Sequence, residues 1–185
     1  MRQHRRVAIA MMGRPASGKT TLARYLSRSL DGVLISSCEI KQAMRPEYQT
    51  KDCLDEALRE QAYDEAVRRC KGVLEEGGLP VVDAGFHTRA LRGKLYGAAR
   101  EMGAALILIY CQCDDLREVL RRIRARTKGP RTPDKQGDSP EIFHYLTCRF
   151  KEPVPLEVDR SASVVFVRTD KGRRLGYSLG LLSVS

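Results

Sequence analysis

Gly13-Arg14-Pro15-Ala16-Ser17-Gly18-Lys19-Thr20 satisfies the spacing G-x-x-x-x-G-K-[ST], and the whole chain is read outward from it. In front of it runs Val7-Ala8-Ile9-Ala10-Met11-Met12, a short apolar block expected to form a buried strand. Behind it Leu22 and Leu26 fall four residues apart, on one face of an expected helix. The stretch therefore joins a strand end to a helix N-terminus, where unpaired N–H groups and the positive end of the helix dipole attract an anion. Gly13 and Gly18 admit positive φ and close approach to phosphate oxygens. Lys19 supplies a charge long enough to reach β- and γ-phosphates, and the Thr20 hydroxyl suits Mg²⁺. Gly13, Arg14, Pro15, Ala16, Ser17, Gly18, Lys19, Thr20 and the following Thr21 are the candidate nucleotide-contacting residues.

The rest of the chain alternates strands and helices. Val33 to Ser37 reads as a second strand, with a short helix opening at Cys38-Glu39-Ile40-Lys41. A long helix follows from about Asp52 to Glu76, its inner face marked by Leu54, Leu58, Ala62, Ala66, Cys70 and Val73. Leu79 to Asp83 reads as a third strand, Thr88 to Met102 as a helix, and the continuous apolar run Ala105 to Tyr110 as a doubly covered parallel strand. Asp114 or Asp115 caps a further helix, with Leu116, Val119, Leu120 and Ile123 facing inward. From about 127 to 140 the chain is rich in Gly, Pro and charge, as in a mobile lid. A helix from about Ser139 to Lys151 and a fifth strand from Ser163 to Arg168 come next, and the tail from Asp170 is ambiguous. Alternation of this kind implies a three-layer α/β fold with a parallel sheet, and 185 residues suffice for one domain.

Composition narrows the class further. Hydrophobic residues at 42% and charged residues at 30% describe a globular chain, and no apolar run approaches membrane-spanning length. Arg2, Arg5 and Arg6 precede an apolar stretch, but it is too short for an export signal and runs into the phosphate loop; a cytoplasmic location is expected. Six cysteines show neither C-x-x-C nor zinc-like spacing, so reduced thiols and no metal beyond Mg²⁺ are expected. The net charge of +10 fits either nucleic acid or a polyphosphate site. Neither a monomer nor a dimer is excluded.

Ligands of such sheets bind beyond the carboxyl ends of the strands. That rule selects Asp83, at a strand end, as a metal-holding acid beside Thr20. His87 and Arg89 follow it and are weaker candidates for substrate contact. Arg117, Arg121 and Arg124 share one helical face and are read as solvated. Arg122 and Arg126 share another and, with Arg131 beyond them, are candidates to close on a triphosphate, because guanidinium charge is permanent and binds oxyanions in pairs of bonds.

These motifs together resemble the small P-loop kinases of the zeta-toxin, polynucleotide-kinase and chloramphenicol-phosphotransferase type. The matching stretches are Gly13 to Ala23, Ser36-Ser37-Cys38-Glu39-Ile40-Lys41, Val81-Val82-Asp83-Ala84-Gly85-Phe86 and Arg122-Ile123-Arg124-Ala125-Arg126, with a weak echo at Asp138-Ser139. The resemblance spans roughly 5 to 170. It implies a P-loop NTPase fold with a five-stranded sheet in the order 2-3-1-4-5, ATP with Mg²⁺, and transfer of the γ-phosphoryl group to a hydroxyl. Lys19, Asp83, Arg122 and Arg126 then belong to the transfer machinery.

One position departs from the pattern. Cys38 stands where these kinases place an aspartate read as the base for the acceptor hydroxyl, and a thiol with an ordinary pKa of about 8.5 is a poor substitute. Three readings stay open: Glu39 turns in as the base, Cys38 ionises beside Lys19 and the arginines, or transfer is slow or lost. The expected function is an ATP-dependent kinase of a small hydroxyl-bearing molecule. The alternatives are a nucleotide-binding regulator and a polynucleotide 5′-hydroxyl kinase, the last disfavoured by dispersed basic residues and no aromatic platform.

Overall fold

In the computed structural model, which describes residues 6–47, 55–127, 140–154, 162–170 and 180–182, the sheet is built around the strand that delivers the phosphate loop. β1 (Val7–Met12) alternates its side chains between two cores. Ala8, Ala10 and Met12 join one buried cluster, while Ile9 and Met11 join another, as the two-residue period of a strand requires. β2 (Val33–Ser36), β3 (Pro80–Asp83), β4 (Ala105–Gln112) and β5 (Ala162–Arg168) lie parallel around it in the order β2-β3-β1-β4-β5. This is the expected five-stranded P-loop NTPase arrangement. The ambiguous tail adds a sixth strand, β6 (Gly180–Leu182), antiparallel to β5 with Val164 opposite Leu182.

Helices cover both faces. α1 (Lys19–Ser29) packs Leu22 and Ala23 on the cluster holding Ile9 and Met11. α3 (Glu56–Glu75) and α4 (Arg89–Glu101) supply Ala62, Ala66, Cys70, Leu95 and Ala99 to the other. The short α2 (Ser37–Met44) begins directly after β2, with the Ser36 hydroxyl accepting from the Glu39 N–H. Of the two candidate caps for α5 (Leu116–Thr127), Asp115 takes the role: its Oδ1 accepts from the N–H groups of Arg117 and Glu118 at 2.9 and 3.3 Å. α6 (Pro140–Arg149) packs near the phosphate loop, where Phe143 meets Ala16, Val119 and Ile123 of a small separate cluster. The lid expected over about 127 to 140, with Arg131 and Asp138, and Asp52 and Leu54 of the long helix, lie outside the described residues.

The loop from Ala84 to Thr88 is held from three sides. The Tyr63 hydroxyl of α3 accepts from the Gly85 and Phe86 N–H groups at 3.0 and 3.1 Å, and the Gly85 carbonyl accepts from the Gly13 N–H at 3.3 Å. Arg92, fully buried in α4, donates from Nη1 to the carbonyls of Phe86 (3.1 Å) and Lys151 (2.8 Å) and from Nη2 to that of Glu152 (3.4 Å). It thereby staples this loop to the segment after α6. Arg92→Met keeps the volume but strands three carbonyls; it is expected to lower unfolding free energy by about 2 kcal/mol, measured by urea denaturation. An unchanged midpoint would show the staple to be dispensable.

Candidate active site

The phosphate loop takes the backbone its composition allows. Gly13 and Gly18 have φ of 142° and 90°, and Ala16 joins them in the left-handed region at 59°. A Cβ on Gly13 would lie 2.4 Å from the Cys111 carbonyl oxygen, so only glycine lets the loop leave β1 this close to β4. The first turn of α1 carries no acidic residue, leaving the dipole's positive end uncompensated. Lys19 Nζ donates to the Arg14 carbonyl at 2.7 Å, folding back along its own loop.

A cavity of about 130 Å³ opens beyond the strand ends. Gly13, Arg14, Pro15, Ala16, Lys19 and Thr20 line it from the loop, Ser37 and Cys38 from α2, Arg59 and Tyr63 from α3, Asp83 to Gly85 and His87 from β3 and the loop after it. Arg126 of α5 and Leu146 and Phe150 at α6 complete the wall. Thr20, Lys19 and Asp83 thus meet in one space, as their order along the sequence anticipated. Asp83 is buried, and its strand register sets it beside Ser36, the residue before α2. A hydroxyl and a carboxylate are hard oxygen donors that suit Mg²⁺, which takes few protein ligands and fills its remaining positions with phosphate and water. Among the described residues no group of three or more His, Cys, Asp or Glu gathers for a different metal.

Several candidates fall elsewhere. Ser17, Gly18 and Thr21 do not line the cavity; Ser17 is buried within the loop and Thr21 is exposed. Glu39, considered as an alternative base, lines a separate groove with Val33 to Ser36, Arg69 and Glu76. α2 turns Ser37 and Cys38 to the cavity and Glu39 to this groove instead. Arg122, expected on the triphosphate, is a brace. Its Nη1 donates to the Ala16 carbonyl and the Thr169 hydroxyl, both at 3.1 Å, its Nη2 to the Thr169 carbonyl at 2.5 Å, and its Nε to Glu118 at 2.8 Å. Thr169 in turn donates to the Ser17 carbonyl at 2.8 Å. Arg122 holds the loop's shape, and of this pair Arg126, one turn on, is the one that reaches the cavity.

Arg59 and Tyr63 carried no weight in the reading of the sequence. The signal was present: each lies three residues before a buried alanine, Ala62 and Ala66, so both belong to the inner face of α3. His87 is buried too, and burial together with the charges of Arg59, Lys19, Arg92 and Lys41 pulls its pKa from 6.5 to about 4. The folded protein therefore binds fewer protons than the unfolded chain between these values. Stability is complete above about pH 6.5 and falls as pH drops toward 4, by about 2–3 kcal/mol across the window. Urea midpoints at pH 7 and 4.5 should converge in His87→Asn relative to the parent; an equal gap in both would contradict this.

Sheet order, loop geometry and helix placement define a P-loop kinase-like domain. A family model described as an AAA domain matches residues 9–139, and the chain belongs to that family. No curated protein matches it. Among solved structures, one from Chloroflexus aurantiacus with a provisional kinase assignment shares 22% identity over 89% of each chain, with a TM-score of 0.69. Kti12 of Chaetomium thermophilum, solved with ADP-AlF3, shares 20% over 90% of this chain and 91% of its own, at 0.68. A gluconokinase from Sinorhizobium meliloti shares 16% over 88% and 84%, at 0.56. At these identities the likeness is one of fold. No helix among the described residues is long and apolar enough to cross a membrane.

Proposed function

We propose that the protein is an ATP-dependent kinase that transfers the γ-phosphoryl group to a hydroxyl of a small molecule. The observation that carries the reading is that one cavity joins the phosphate loop, with Lys19 and Thr20, to Asp83, Arg126 and a second set of walls at Cys38, Arg59 and His87. The first part suits a nucleotide triphosphate and the second leaves room for an acceptor. The loop N–H groups and Lys19 bind the β- and γ-phosphates, and Arg126 balances charge on the transferring group. Thr20 and Asp83 hold Mg²⁺, which when bound offsets negative charge on the phosphate oxygens. In the transfer, a bond forms between the acceptor oxygen and the γ-phosphorus as the bond from that phosphorus to the bridging oxygen breaks. ADP leaves, and the hydroxyl proton passes to solvent, since the group at 38 is a thiol. Most of the catalysis in such a reaction is positioning and electrostatics, which this site retains.

ADP formation from ATP and Mg²⁺ across a panel of hydroxyl-bearing metabolites tests the proposal. The kinase reading expects ADP release that depends on one acceptor class, with the phosphate recovered on it. Tight nucleotide binding with no ADP release under any condition would instead favour a nucleotide-binding regulator, the reading that Cys38 in the cavity wall supports. Phosphate recovered on an oligonucleotide 5′-hydroxyl, with affinity falling steeply in salt, would name a polynucleotide acceptor. We place the protein in the cytoplasm as a single kinase domain.

A further inference from the structure

On the α3 side of the cavity sits a charge that no carboxylate among the described residues answers. Arg59 is only 8% exposed and lines the cavity beside Cys38, Tyr63 and His87. Its Nη1 lies 3.4 Å from His87 Nε2, a ring kept uncharged by its surroundings, and its buried Nε and Nη2 have no hydrogen-bond partner among the described residues. The acids closest to it along the helix are committed elsewhere. Glu56 accepts from the Tyr145 hydroxyl at 2.6 Å and pairs with Arg149, while Glu60 and Asp64 both hold Lys94. Asp55 pairs with Arg45 at 3.1 Å. The Tyr145 ring lies against the guanidinium, 5.6 Å from its carbon, a contact to the face that satisfies none of the N–H groups at the edge.

A buried guanidinium without an anionic partner is costly, and packing alone would be met better by an apolar side chain of the same length. The cavity wall sharpens the point. Its cations are Arg14, Lys19, Arg59 and Arg126, and its single carboxylate is Asp83. Lys19 and Arg126 belong to the nucleotide under the proposed function, and Arg14 is half-exposed with its guanidinium over Phe150. Arg59 is then the cation in excess, on the side where the acceptor enters.

We propose that Arg59 recognises an oxyanion on the acceptor, a carboxylate or a phosphate or sulfate ester, so that the substrate is a small hydroxyl-bearing anion. The proposal rests on the kinase reading and adds the acceptor's charge and the residue that selects for it. A planar guanidinium donates two parallel N–H bonds to such a group, which fixes orientation as well as affinity. A hydroxyl on the same molecule is thereby presented to the γ-phosphate, and uncharged alcohols are refused because they leave Arg59 buried and unpaired.

The test loads the full chain with Mg²⁺ and a non-hydrolysable ATP analogue, then titrates inorganic phosphate and, separately, acetate. Binding is followed by calorimetry and by the ring-proton signal of His87, which answers a charge placed on Arg59. We expect saturable binding of at least one anion with a saturable His87 shift, and at least about tenfold weaker binding in Arg59→Met with analogue affinity unchanged. Tighter phosphate binding points to an ester acceptor, tighter acetate binding to a carboxylic acid. Absence of anion binding to the loaded parent, equal binding in Arg59→Met, or loss of analogue affinity in that variant overturns the assignment. If Arg59→Met fails to fold, the parent's His87 titration decides alone: no saturable shift overturns it. Failure of the parent to bind the analogue at all is a different result, and it defeats the nucleotide reading on which this one stands.

Discussion

Lys19→Met is expected to lower the rate of phosphoryl transfer by on the order of 10²–10³ and to weaken nucleotide binding, while leaving the protein folded. Methionine keeps most of the length and apolar stem of lysine and removes the charge with its N–H donors. In the structure Lys19 Nζ donates to the Arg14 carbonyl at 2.7 Å, a bond within the loop that costs about 1 kcal/mol to lose. The fold therefore barely registers the change. With triphosphate in the loop the ammonium turns to the phosphate oxygens, where its interaction grows as charge develops on the transferring group. Single-turnover ADP formation, nucleotide affinity and thermal midpoint separate the three effects. A rate within a few-fold of the parent would remove Lys19 from the transfer site. A collapse of the thermal midpoint would make it a structural residue.

Much of this was legible because the phosphate loop couples composition to geometry tightly. Gly13 and Gly18 stand where positive φ is required, an apolar strand precedes them and a helix follows, so β1, the loop and α1 could be placed at once. The strand order followed from the resemblance carried by four motifs, and not from periodicity, which is blind to which strands are neighbours. β6 was not legible: three residues in a tail without alternation pair with β5 only because that edge is open. The assignments that moved did so for one reason. Helical spacing says which residues share a face but not what the face meets. Arg122 and Arg126 share one, yet the first meets the carbonyls of Ala16 and Thr169 and the second the cavity. Charge on an amphipathic helix is ordinarily solvated, so Arg59 does not stand out in the spacing, and here the inner face of α3 carries it at the cavity wall.

Cys38→Asp is expected to raise acceptor-dependent turnover by on the order of 10²–10⁴, the usual contribution of a positioned base. The side chain at 38 lines the cavity with Lys19, Asp83 and His87, at the N-terminal turn of α2. A carboxylate there meets the positive end of that helix and the cations of the wall, both of which favour its ionised form. It is then ready to take the acceptor's proton at neutral pH, whereas the residue present at 38 carries no carboxylate to receive it. The pH profile distinguishes the two. Turnover by the aspartate variant should be level above about pH 5, once its carboxyl is ionised, and the parent should lack that low-pH plateau. Cys38→Ser supplies the control, since a hydroxyl restores polarity without basicity and should stay near the parent rate. Nucleotide affinity should shift little in either variant, because Cys38 lies on the acceptor side and the triphosphate is held by the loop. If Cys38→Asp gains nothing while nucleotide still binds, proton removal at this position does not limit the reaction. If activity appears only with the aspartate, the natural protein is a nucleotide-responsive module whose one substitution in the acceptor wall holds transfer off.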